Sequence, residues 1–151
     1  MGVGCEGRQT VCAQNRGTLS KAEIEDVVTQ LYAAYAANDI GTIDGLITDD
    51  AVVHVPGSQP LSGEHRGKQS VWGYLGKVAE VSQGKGRFDL HGVTADDQGH
   101  GVALLTGTIL DWVRPVVHVW QVRDGRLSEL WEVYLDQDAE DRFWIGALAE
   151  V

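Results

Sequence analysis

The chain has 151 residues, and 22 Asp and Glu against 12 Lys and Arg leave it a net charge of −10, which speaks against nucleic acid or an anionic membrane surface as partners because both need clustered cations. Hydrophobic residues make up 43% and charged residues 23%, ordinary values for one globular domain with a sizeable core. No apolar run reaches transmembrane length, no basic-then-apolar leader opens the chain, and the two cysteines, Cys5 and Cys12, both precede the first patterned segment; a fold independent of disulfides is expected, in the cytoplasm.

Residues 1–17 are Gly-rich, polar and aperiodic, and read as a disordered tail ahead of a single domain over 18–151. Thr18 or Ser20 offers an N-cap, and Glu23 completes a capping box with Ser20. Val27, Val28, Leu31, Tyr32 and Tyr35 then keep helical spacing, predicting an amphipathic helix over Ser20–Asn38. A short helix over Ile40–Ile47 follows, then a strand over Ala51–Val55 that Pro56-Gly57 ends. Ser58–Gly67 reads as a polar loop and Gln69–Val81 as a third helix. Four antiparallel strands come next, over Arg87–Ala95, Val102–Trp112 and the two arms of a hairpin, with a terminal helix over Asp138–Leu148. Helices followed by a run of strands imply an α+β domain with helices laid on one face of a curved sheet.

The hairpin spans Arg114–Asp136 and turns on Asp124-Gly125, a pair suited to positive φ at both central positions of a type I′ turn. That turn sets an expected register in which Val122 faces Leu127, Trp120 faces Glu129 and His118 faces Trp131. Alternation then places Val116, His118, Trp120, Val122, Leu127, Glu129, Trp131 and Val133 on one face. Val117, Val119, Gln121, Leu130, Glu132 and Tyr134 fall on the other. An imidazole, a carboxylate and two indoles among aliphatics suit a small-molecule pocket, although a packed strand pair with one satisfied histidine has the same composition.

Two segments carry a family resemblance: Asp49–Gly67, DDAVVHVPGSQPLSGEHRG, ahead of a helix, and VWQVRDGRLSELWEV near the end. Together they resemble the SnoaL-like branch of the nuclear-transport-factor-2-like superfamily over roughly Ala22–Trp144. The resemblance implies a cystatin-like α+β cone, a curved antiparallel sheet wrapped around the N-terminal helices with an internal pocket. It also implies a superfamily that includes steroid isomerases, polyketide cyclases, epoxide hydrolases and dehydratases, besides modules without chemistry, so the site must decide function. The familiar acid sets are missing. The isomerases' base falls at Val55, their oxyanion-hole tyrosine at Leu31, with Tyr32 and Tyr35 on other faces, and their second acid at His118. The epoxide hydrolases' last-strand Asp falls at Val133. A steroid isomerase or epoxide hydrolase of the known kind is therefore not expected.

His118 is left as the leading catalytic candidate, a proton shuttle oriented by Glu129, which the expected register places about 7–8 Å away across the strands. Trp120 and Trp131 would stack on substrate, with Tyr35, Leu31, Val55, Val133 and His54 as further contacts, although strand parity turns His54 away from the pocket. The five histidines show no metal-binding spacing, and no phosphate loop or dinucleotide fingerprint is present; no metal or cofactor is expected. Three functions fit: a cofactor-independent cyclase, isomerase or dehydratase on a hydrophobic cyclic or polyketide-like molecule, a binding module without turnover, or a structural dimerisation domain. The second hairpin face lacks polar alternation, which predicts a homodimer centred on Val117, Val119, Leu130 and Tyr134.

Overall fold

The computed structural model describes residues 19–151; the expected tail at 1–17, with Cys5 and Cys12, and the alternative cap Thr18 lie outside the described residues. Helix α1, Lys21–Ala36, starts where Ser20 Oγ accepts from the Glu23 backbone N–H at 3.1 Å. Helix α2, Ile40–Leu46, is capped by Asp39 and runs directly into strand β1, Ile47–Val55. The segment expected to be all loop contains a four-residue strand, β2, Gly63–Arg66, paired antiparallel with β1. Helix α3 is Lys68–Ser82, and the remaining strands are β3, Arg87–Ala95; β4, His100–Ile109; β5, Trp112–Arg123; and β6, Arg126–Tyr134. Helix α4, Gln137–Leu148, closes the chain behind the cap Asp136.

The six strands form one sheet in the order β2-β1-β6-β5-β4-β3. All neighbours are antiparallel except β1 and β6, which pair in parallel, so the expected all-antiparallel sheet holds everywhere but at that contact. The chain between them supplies the long crossover that a parallel pair needs. Ile24 and Val28 of α1 pack with Ala103 of β4, Val116 of β5 and Leu127 of β6, all nearly or wholly buried. Helix α1 approaches β4 at Gly101, where a Cβ would stand 3.0 Å from Val28 and 3.1 Å from Ile24. A second cluster around Val81, Ile109 and Trp144 seats α4 against the end of the sheet. There Arg114 and the buried Glu140 form an ion pair at 2.7 Å. Among the described residues, no helix is long and apolar enough to cross a membrane.

The hairpin turn is as the sequence indicates, with Asp124 at φ 53° and Gly125 at φ 77°. Arg123 pairs with Arg126 and Val122 with Leu127, but the next pair is Gln121 with Glu129. Ser128 is the extra residue of a β-bulge, its hydroxyl donating to the Gln121 carbonyl at 3.2 Å. From there the register is displaced by one. Trp120 faces Leu130, Val119 faces Trp131 and His118 faces Glu132. A slip of one residue exchanges the faces of everything beyond it, so Glu129, Trp131 and Val133 lie on the outer face while Leu130, Glu132 and Tyr134 turn inward. This corrects both the expected pocket face and the expected dimer face.

Candidate functional site

The inward sides of α1, α3 and the sheet enclose an apolar cavity of about 90 Å³. Helix α1 brings Leu31, Tyr32 and Tyr35 to it, α3 brings Tyr74, and β5 and β6 bring His118, Trp120, Leu130 and Glu132. Phe88 of β3 closes one side, its ring edge-on to His118 with centroids 5.1 Å apart.

Four of the residues expected at the site, His118, Trp120, Tyr35 and Leu31, line this cavity. Glu129 borders it, but its carboxylate bonds His54 Nε2 on the opposite face at 2.5 Å and so cannot orient His118. Trp131 also lies there, stacked on the His54 ring with centroids 5.1 Å apart and planes within 4°. His54 points away from the cavity, as its strand parity implies, and Glu64 Oε1 lies 3.5 Å from its other ring nitrogen. Val133 is 42% exposed on the same outer face. Val55 is buried in the core without lining the cavity.

Two buried polar groups converge on the cavity instead. In the first, Trp120 Nε1 donates to the Tyr32 hydroxyl at 2.9 Å, and that hydroxyl lies 2.6 Å from His118 Nδ1. An indole nitrogen only donates and a phenol has one proton, so the arrangement satisfying all three groups has Tyr32 donating to Nδ1. His118 is then the Nε2–H tautomer. Its Nε2 is buried and has no hydrogen-bond partner among the described residues, leaving a donor for whatever enters the cavity. Burial, aided by the charge of Arg114, pushes the imidazole pKa down to about 3, so His118 is neutral near pH 7. Burial also raises the Tyr32 phenol far above its ordinary value, so it keeps its proton.

In the second, Glu132 takes hydrogen bonds from Tyr74 at 2.8 Å and from Tyr134 at 2.6 Å, one to each carboxylate oxygen. Burial raises its pKa and outweighs the two phenols, which favour the carboxylate. His118 and Glu132 sit directly opposite each other on β5 and β6. The expected pair of His118 with Glu129 is therefore not formed: the carboxylate across the strands from His118 is Glu132, and the group bonded to the ring is Tyr32. Tyr32, one position from the expected Leu31, was visible as an aromatic on the first helix; Glu132 follows from the hairpin pattern once a bulge is allowed. Among the described residues, no group of three or more His, Cys, Asp or Glu side chains could hold a metal ion.

A family model for the SnoaL-like domain matches residues 28–130. An uncharacterized protein of Mycobacterium tuberculosis H37Rv is 29% identical over 125 residues, spanning 79% of this chain and 94% of that protein. Among solved structures, Bal32a from a soil-derived mobile gene cassette superposes with a TM-score of 0.78 at 23% identity, over 82% of this chain and 98% of that one. A protein of cystatin-like fold from Xanthomonas campestris gives a TM-score of 0.73 at 27% identity, over 80% and 97% of the two chains. A provisionally named polyketide cyclase from Sinorhizobium meliloti and a provisionally named ketosteroid isomerase from Kribbella flavida share the fold at 17% and 13% identity, with TM-scores of 0.60 and 0.66.

Proposed function

Since the chain belongs to the SnoaL-like domain family and has its cystatin-like α+β fold, we propose that the cavity binds a hydrophobic cyclic or polyketide-like molecule and moves a proton beside one of its carbonyl groups. The observation that carries this reading is the Trp120–Tyr32–His118 chain, which ends on a donor without a partner among the described residues, in an apolar cavity next to a carboxyl group. A neutral imidazole N–H held rigidly in a dry site stabilises negative charge developing on a carbonyl oxygen. Glu132, its pKa raised by burial, takes the proton from the adjacent carbon and returns it. His118 thus acts as the hydrogen-bond donor and Glu132 as the proton carrier, the division of roles that serves cyclisation, isomerisation and dehydration alike. At about 90 Å³ the cavity is smaller than the roughly 150 Å³ engineered cavity that holds benzene, so the reacting end of the molecule is small and its bulk lies outside.

The test is exchange of α-protons of small cyclic ketones into deuterated water, followed by NMR. Wild-type protein should accelerate exchange of at least one member of the panel, and Glu132→Gln should abolish that acceleration. Ketones that bind without exchanging would favour the binding module. The exposed Leu104 and Val133, together with Val117, Val119 and Trp131 on the outer face, support a second proposal, that two copies pair through that face.

A further inference from the structure

Outside the inner cavity, between α1, α2, α3 and the start of β3, lies an open groove of about 600 Å³. Tyr35, Ile43, Leu75 and Phe88 line both spaces, so the groove adjoins the cavity across these four side chains. Among the described residues its charged lining is Lys85 and Arg87, without Asp or Glu, although the whole chain carries a net charge of −10.

The turn that carries these cations is well defined. Gln83 and Gly84 both take left-handed backbone, at φ 55° and 71°, and the Lys85 N–H bonds the Ser82 carbonyl at 3.0 Å. The neighbouring Lys77 pairs with Glu80, and Arg87 Nε bonds Asp89 at 3.1 Å, but no ion pair of Lys85 occurs among the described residues. Arg87 also lines a small cleft, of about 30 Å³, that it shares with Phe88 and Glu132. A group held by Arg87 is therefore only a short reach from the carboxyl group that the proposed chemistry uses.

Resting on the cavity reading above, we propose that the ligand is an apolar molecule with an anionic head, a carboxylate or a phosphate, which Lys85 and Arg87 hold in the groove while the apolar end enters the cavity beside His118 and Glu132. The cavity wall is too apolar to accept an anion, whereas the groove offers two cations and water. In a chain this acidic, such a site also attracts anions that the rest of the surface repels.

Phenylalkanoates from phenylacetate to phenylhexanoate, the amide of each and the corresponding phenylalkyl phosphates are the probes, with binding read by calorimetry and by tryptophan fluorescence. The anions should bind more tightly than the amides by about tenfold, an advantage that high salt removes. A Lys85→Ala/Arg87→Ala variant should lose that advantage while retaining amide affinity, and Lys85→Glu should reverse it. Carboxylate against phosphate identifies the head. Amides that bind as well as the anions would overturn the proposal and leave the cavity reading standing, as would an anion preference unchanged in the double variant. Failure of every probe to bind would overturn both.

Discussion

The Tyr32 hydroxyl lies 2.6 Å from His118 Nδ1, and that contact fixes Nε2 as the ring nitrogen of His118 that carries the proton. Tyr32→Phe should leave both Nδ1 and the Trp120 indole N–H without partners in a buried site. The expected loss is about 1–3 kcal/mol per stranded group, read by urea unfolding. The same variant should blur the tautomer: nitrogen-edited NMR of the wild type should show a neutral Nε2–H imidazole, and the variant a mixture. A wild-type ring protonated on Nδ1 would remove the basis for His118 as the donor in the cavity.

Much of the fold was legible because its determinants are local. Ser20 and Glu23 cap α1, Asp124-Gly125 makes the turn, and β3 matches the expected range at both ends. The pocket was half legible. Beyond the bulge, the two sides of β6 carry Glu129, Trp131 and Val133 on one and Leu130, Glu132 and Tyr134 on the other. Each set has one carboxylate, one aromatic and one aliphatic, so composition could not distinguish inside from outside. The bulge at Ser128 decided it, and Ser128 carries no glycine or proline signal. Strand β2 was hidden for a different reason: four exposed or half-exposed residues at an edge show no apolar alternation.

Burial holds His118 neutral, and the consequence for stability has a definite sign. The unfolded ring takes up a proton near its ordinary 6.5, the folded one near 3. The native state's advantage is therefore complete above pH 6.5 and is lost as pH falls from there towards 3, with a slope of up to about 1.4 kcal/mol per pH unit. His118→Gln keeps a donor in the cavity but cannot titrate. The stability difference between wild type and variant, measured by denaturant titration at several pH values, should fall with acidification through this window. A difference that stays flat would mean that water reaches the ring in the native state.

Glu132 has the opposite linkage. Its folded pKa is raised above the ordinary 4.5, so the stability it contributes is complete below that value and is lost as pH rises through the raised one. Glu132→Gln removes that dependence, at the expense of one tyrosine that must turn to accept from the amide nitrogen. The variant should be the less stable protein at acid pH and should gain on the wild type as pH rises. Calorimetric melting temperatures from pH 4.5 upwards would show the two curves converging; parallel curves would mean that Glu132 titrates as a solvated carboxylate, and its place as proton carrier would fall with it.

Assembly is the last expectation, and the bulge changes which residues test it. The outer face presents Val117, Val119, Trp131 and Val133 of the hairpin beside Leu104 of β4, which is 51% exposed. Of the other half of the expected patch, Leu130 is buried and Tyr134 is half-buried, both on the inner face. A two-fold axis on this face would bring the Leu104 side chains and their valine neighbours together and remove them from water. Sedimentation at micromolar concentration should give about twice the chain mass, and Leu104→Lys or Val133→Lys should shift it to the monomer without altering the helical circular dichroism. Leu130→Lys is the contrasting variant. With its side chain in the core it should disrupt folding, through about 2–5 kcal/mol of lost packing and the further penalty of a buried ammonium. A wild-type monomer, or a dimer indifferent to both outer-face lysines, would place the interface elsewhere.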